Sequence, residues 1–180
     1  MGDPRKFRKK FTGPRHPWEG ERIEGEKKLI INYGLKNKKE IWKLTSRIRT
    51  YKRQVKKLTA LATHQAEREK DQLQKKLVAY GLLEQHASLG AVLDLPVTSL
   101  MERRLQTLVY KKNLARSVKQ ARQFIVHGHI LINGRKITSP SHLVSVNEEP
   151  TISFFSGSTL SSVEHPERVS QAPKKERRKI

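Results

Sequence analysis

Cysteine is absent from this 180-residue chain, which excludes disulfides, thiolate zinc centres and thiol nucleophiles and suits a reducing compartment. Acidic residues are scarce. There are 17 of them against 38 lysines and arginines, a net charge of +21, where solubility of a small domain needs a net charge of only about 2–8. Such a field attracts polyanions and repels basic partners. Long apolar runs are missing as well. Leu77-Val78-Ala79 and Leu82-Leu83 fall far below the roughly 20 residues that span a bilayer. The basic N-terminus has no apolar stretch of the secretory kind, and no helix sets bulky aromatics opposite lysines, so a membrane is not an expected partner. Enzyme signatures are lacking too: there is no Gly-x-Gly-x-x-Gly, no Walker-type loop and no Gly-x-Ser-x-Gly. Ser156-Gly157-Ser158 sits in a polar tail, and His127-Gly128-His129 has neither a third ligand nor an acidic companion. No catalytic residue, metal, cofactor or small-molecule substrate is therefore expected.

What is abundant is positive charge, and its placement is uneven. Residues 1–60 carry 19 basic against 6 acidic residues, 61–100 carry 4 against 5, 101–146 carry 9 against 1, 147–165 carry none against 3, and 166–180 carry 6 against 2. Three basic blocks thus alternate with neutral or acidic ones. A folded RNA touched at several places favours that pattern, whereas a single groove favours one block.

The segment Arg103–Val146 carries the densest local signals. Leu100, Leu105, Leu108 and Val109 recur at helical spacing behind Ser99-Leu100-Met101-Glu102, which has the spacing of a capping box and predicts a helix beginning at Ser99. A second helix is predicted from Ser117, with Gln120 at capping distance, Val118, Ala121, Phe124 and Ile125 on one face, and Gly128 ending it in the left-handed region. Asn113 takes the turn between the two, a position it tolerates. Ile130-Leu131-Ile132, Asn133-Gly134 and Arg135-Lys136-Ile137 then read as a tight hairpin, because both turn residues accept positive φ. Leu143, Val144 and Val146, with Thr151-Ile152-Ser153-Phe154, are expected to complete a small sheet around Glu148-Glu149-Pro150.

Upstream, residues 21–35 read as a helix closed by Gly34. From Asn37-Lys38-Lys39-Glu40 onward, Ile41, Leu44, Ile48, Tyr51, Val55, Leu58 and Ala62 form a seam three and four apart. That seam is expected to pack on residues 65–80 through Leu73, Leu77 and Tyr80. The opposite face, with Lys38, Lys39, Lys43, Arg47, Arg49, Lys52, Arg53, Lys56 and Lys57, has few acidic neighbours, and phosphates would relieve its repulsion. Residues 82–99 read as a connector, with Val92-Leu93 packing and Pro96 ending it. Phe7, Phe11 and Trp18 lie among arginines and lysines and suit base stacking or packing equally well.

The run Arg103-Arg104-Leu105, Leu114-Ala115-Arg116-Ser117, Ala121-Arg122-Gln123, Ile125, His127-Gly128-His129-Ile130, Asn133-Gly134 and Pro140-Ser141 with Val144 resembles the S-four RNA-binding domain. The chain as a whole, roughly residues 4–155, resembles the S-four family of small-subunit ribosomal proteins. Pro14-Arg15-His16-Pro17-Trp18-Glu19 and the missing cysteines are similar to its archaeal and eukaryotic cytoplasmic branch. The resemblance implies an α+β fold with a helical N-terminal subdomain and a two-helix, small antiparallel sheet module of the alpha-L type between extended basic termini. The expected division is 1–20 extended, 21–100 helical, 101–155 RNA-binding and 156–180 a basic flexible tail ending Lys174-Lys175-Glu176-Arg177-Arg178-Lys179.

The implied function is structural: binding of small-subunit ribosomal RNA, early subunit assembly and support of translational accuracy, in the cytoplasmic small ribosomal subunit beside neighbouring proteins near where messenger RNA enters. Arg103, Arg104, Arg116, Lys119, Arg122, Gln123, His127, His129, Arg135 and Lys136 are the expected RNA-facing residues of the module, with Arg47, Arg53 and Lys56 on the long helix and Arg8 and Lys9 at the N-terminus. Arg103, Arg104 and Arg122 are expected to be exposed and to add little to stability. An RNA-modifying enzyme or RNA chaperone with the same module, or a general polyanion binder, is the alternative.

Overall fold

The computed structural model describes residues 9, 11–85, 87–162 and 165–168. Helix α1 (Gly20–Tyr33) ends at Gly34, whose φ of 56° supplies the left-handed turn. Helix α2 (Lys38–Thr59) buries Ile41, Leu44, Ile48, Tyr51, Val55 and Leu58 against Leu73 and Leu77 of α3 (His64–Ala79), Val92, and Leu100 and Met101 of α4 (Val97–Glu102). The seam stops one turn early. Helix α2 ends at Thr59 and Ala62 is exposed, because Thr63 accepts a hydrogen bond from the Ala66 amide at 3.2 Å and opens α3 instead. In the connector Leu82, Leu83 and Val92 join the core, Val92 at 0% exposure, with Leu89, Leu95 and Val97 packed against it; Leu93 is turned outward.

The capping box at Ser99 is not where the helix begins. Pro96 occupies the N-cap of α4, and the predicted helix breaks at Arg103-Arg104 before α5 (Leu105–Lys111). Long-range pairing causes the break: Leu105 and Gln106 amides donate to the His142 and Pro140 carbonyls at 2.8 and 3.4 Å, and Val144 donates to the Arg103 carbonyl at 3.0 Å. These bonds satisfy donors that a continuous helix would have used internally.

Helix α6 (Val118–Val126) begins as expected, with Ser117 Oγ accepting from the Gln120 amide at 3.1 Å. Gln120 Oε1 reciprocates one residue early, on the Arg116 amide at 2.7 Å. Asn113 (φ 56°) turns α5 into α6, and Gly128 (φ 76°) releases the chain into β1 (Ile130–Ile132). Asn133 and Gly134, at φ 49° and 74°, close the hairpin to β2 (Arg135–Lys136), with Ile132 opposite Arg135. The third strand, β3 (Ser153–Phe154), pairs antiparallel on the far side, giving the order β2-β1-β3.

The sheet is smaller than the sequence suggests. Leu143 forms only an isolated bridge to Arg104, Val146 is 44% exposed, and Ser145 and Glu148 cap each other's amides at 2.9 and 3.3 Å, winding Glu149–Thr151 into a 3-10 turn. The start of the tail is not loose either. Ser158 Oγ caps the Leu160 amide at 3.2 Å, and Leu160 is buried in a second core with Leu105, Val109, Phe124, Ile125, Ile130 and Ile152. The fold is α+β. The lysines and arginines from 174 onward lie outside the described residues.

Residues 11–19 are tied to the helical body. The Thr12 amide donates to Ser46 Oγ at 3.0 Å, the Phe11 ring lies 6.1 Å from Trp42, and Arg22 donates to the carbonyls of His16 and Pro17.

Candidate nucleic-acid interface

Two kinds of basic residue separate in the structure. The first kind is buried or half-buried, and paired. Arg104, 1% exposed, donates to Glu40 of α2. Arg122 donates to both oxygens of the same carboxylate, at 3.0 and 3.4 Å, and to Gln106 Oε1 at 3.3 Å. Gln106, itself 1% exposed, spends its amide on the carbonyls of Tyr33, Gly34 and Val118 at 3.3, 3.0 and 3.0 Å. This polar weld joins α1 and α2 to α5 and α6. Burial pushes Glu40 up, but hydrogen bonds and charge from Arg104 and Arg122 prevail and hold it below its ordinary pKa of 4.5.

Arg103 is likewise half-buried, donating to Glu149 at 2.7 Å and to the Val144 carbonyl at 3.1 Å. The expectation that Arg103, Arg104 and Arg122 are exposed and structurally idle is therefore corrected. Each has a carboxylate partner brought from 46 to 82 residues away, a distance at which no local sequence pattern reports pairing.

The second kind is exposed. Arg47, Arg53 and Lys56 project from α2, and Lys119, Gln123 and His127 from α6; Arg135 and Lys136 line the hairpin edge, with Lys136 Nζ 3.6 Å from the centre of the Phe155 ring. Arg116 is exposed but donates to the carbonyls of Pro166 and Arg168, the latter at 3.0 and 3.3 Å. His129 turns inward, its Nδ1 2.8 Å from Ser158 Oγ and its ring edge-on to Phe124. Lys9 lies in a recess with Phe11, Ser46, Arg49 and Arg53. Arg8 lies outside the described residues.

Between α2 and the second core runs an open cleft of about 750 Å³. Lys39, Lys43 and Arg47 form one wall, Arg122, Pro140 and Ser141 the other, and Tyr51, Tyr80 and Lys76 complete it. Its lining carries one carboxylate, Glu40, which two arginines already neutralise. The cleft thus offers cations without acidic competitors and hydroxyls from Ser46 and Thr50, set among Leu44, Tyr51, Tyr80 and Pro140: a lining that can take phosphate beside apolar ribose or base surface. Glu40 and Gln106 were not singled out by sequence, although Glu40 is the one acid in a helix with nine lysines and arginines. Among the described residues no group of three or more His, Cys, Asp or Glu could hold a metal, and no helix is long and apolar enough to cross a membrane.

Two short helices, α5 and the Ser117-capped α6, a positive-φ hairpin and a basic edge make up an RNA-binding module, and residues 103–150 match the S4 domain family model. The whole chain extends the likeness. It is 52% identical over 170 residues to small ribosomal subunit protein uS4 of Methanococcus maripaludis, covering 94% of this chain and 96% of that protein. It is 53% identical to uS4 of Methanococcus aeolicus over the same shares, and 48% identical over 160 residues to that of Methanothermobacter thermautotrophicus, covering 89% and 94%. The chain belongs to the small ribosomal subunit protein uS4 family.

Proposed function

We propose that the protein is a structural constituent of the small ribosomal subunit that binds small-subunit ribosomal RNA early in assembly and supports accurate decoding, beside neighbouring proteins near where messenger RNA enters. The observation that carries this reading is the segregation of its cations. Buried arginines hold the α2 helical body and the S4 module in one fixed relation, and the exposed ones line a cleft and two flanking edges in which phosphates meet no competing carboxylate. In this reading residues 21–100 and 101–155 are two arms of one RNA clamp. Lys39, Lys43, Arg47, Arg53, Lys56, Lys119, Gln123, His127, Arg135 and Lys136 touch RNA, while Arg103, Arg104 and Arg122 set the spacing of the arms.

An RNA-modifying enzyme is disfavoured by the cleft's one carboxylate, since both Glu40 oxygens are occupied by guanidinium groups and neither is placed to move a proton. The test is competition between a folded small-subunit ribosomal RNA junction, length-matched duplex DNA and scrambled RNA across a salt series. Retention of the junction alone at high salt supports the proposal. Equal loss of all three ligands refutes it in favour of a general polyanion binder.

A further inference from the structure

The indole of Trp18 stands 90% exposed, although Trp normally buries about 150–250 Å² of apolar surface. Its loop is held in place. Arg22 Nη2 donates to the His16 and Pro17 carbonyls at 3.2 and 2.8 Å, and Nη1 donates to Glu26 at 2.6 Å. Glu26 is only 7% exposed, is gripped by the Trp42 indole N–H at 2.9 Å, and lies 3.4 Å from the Lys38 ammonium. A buried acceptor therefore locks an arginine that locks two consecutive carbonyls immediately before Trp18. Pro17 adds a fixed φ. A loop serving only to connect would not need this chain of bonds, and the side chain it presents gains nothing within the protein.

We propose that Trp18 is a preformed stacking platform for an unpaired RNA base. The proposal rests on the RNA-binding reading above and extends it to a site outside the module and the cleft. A flat, rigid aromatic recognises the π-face of any base at small entropic cost, provided that it is exposed and held before binding. The neighbouring residues favour a nucleic acid over an apolar protein pocket: Arg15, His16, Glu19 and Gly20 are exposed on either side of it in the chain, so the indole is offered from a polar, charged loop.

The full-length chain labelled with 5-fluorotryptophan gives two fluorine resonances, assigned with Trp18→Phe. On titration with a folded small-subunit ribosomal RNA junction containing unpaired nucleotides, the Trp18 resonance should shift and broaden while that of Trp42 stays put. A version of the junction with those nucleotides base-paired should produce no such shift. Trp18→Ala should weaken binding on the order of 5- to 150-fold, Trp18→Phe much less, and the salt slope should be unchanged because no charge is lost. The thermal midpoint should also hold, since the side chain is exposed. Junction binding with an unmoved Trp18 resonance and affinity within about twofold for Trp18→Ala overturns the platform and leaves the RNA reading intact. A purified neighbouring small-subunit protein that shifts the resonance where RNA does not would overturn it in favour of a protein contact. Failure of the unsubstituted chain to bind any RNA overturns both.

Discussion

Replacing Glu40 by Gln keeps the shape of the side chain and removes its charge, so it isolates what the weld contributes. Arg104 is 1% exposed and has no other carboxylate within salt-bridge distance among the described residues. The substitution strands a buried guanidinium, and breaking a buried pair by removing one partner costs about 3–5 kcal/mol. The side chains of Arg122 and Glu40 keep 26% and 14% exposure, so water softens the loss of the second pair and the lower end of that range is expected. For a chain of this size each kcal/mol lowers the melting temperature by about 2–4 °C, giving a drop of roughly 6–12 °C.

Acid provides an independent check. The Glu40 carboxyl is held below its ordinary value of 4.5, so the unfolded chain binds its proton more readily than the folded one. The stabilisation is therefore complete above about pH 4.5 and is lost as pH falls through the lower folded value. Thermal denaturation followed by circular dichroism from pH 3 to 7 should show that loss in the unsubstituted chain and a smaller slope in Glu40→Gln. A melting temperature within 2 °C of the unsubstituted protein at pH 7, with an identical acid slope, would falsify the claim that Glu40 welds the two cores.

Gln106→Leu removes three donated bonds to backbone carbonyls and should cost about 2–3 kcal/mol through the acceptors left unpaired, read as a lower urea midpoint; no change would show that water replaces them. The triple substitution of Arg47, Arg53 and Lys56 to Gln should leave stability within about 0.5 kcal/mol, because all three are exposed. It should flatten the dependence of log K on log salt by roughly 2–3 for junction binding, and an unchanged slope would remove these residues from the interface. Gly134→Ala forces a β-carbon onto a residue at φ 74° and should cost on the order of 1–2 kcal/mol, although nothing lies within 4 Å of the added atom. A neutral result would show that the hairpin relaxes to another turn.

Much of the framework was legible because its signals are local. The α2 seam from Ile41 to Leu58, the Ser117 cap, the Gly34 and Gly128 stops and the Asn133-Gly134 turn each depend on residues a few positions apart, where spacing and φ preference decide the outcome. The break at Arg103-Arg104 was not legible. A capping box at Ser99 competes there with carbonyls of Pro140 and His142 that no helical periodicity predicts. The start of the tail misled for a similar reason: Ser, Pro and charge from Ser156 onward suggest disorder until Leu160 finds a place in the second core.

Charge divides in the same way. Composition alone, with 38 basic and 17 acidic residues, pointed to a polyanion as partner, and the order of its motifs carried the family resemblance, because both are properties of the chain before it folds. Only the tertiary structure decided which arginines remain available. Arg47 and Arg104 are alike as residues, yet one projects into water and the other is 1% exposed beside a carboxylate 64 positions away. Pairing and desolvation are set by distances through space, and the fold alone brings those distances into being.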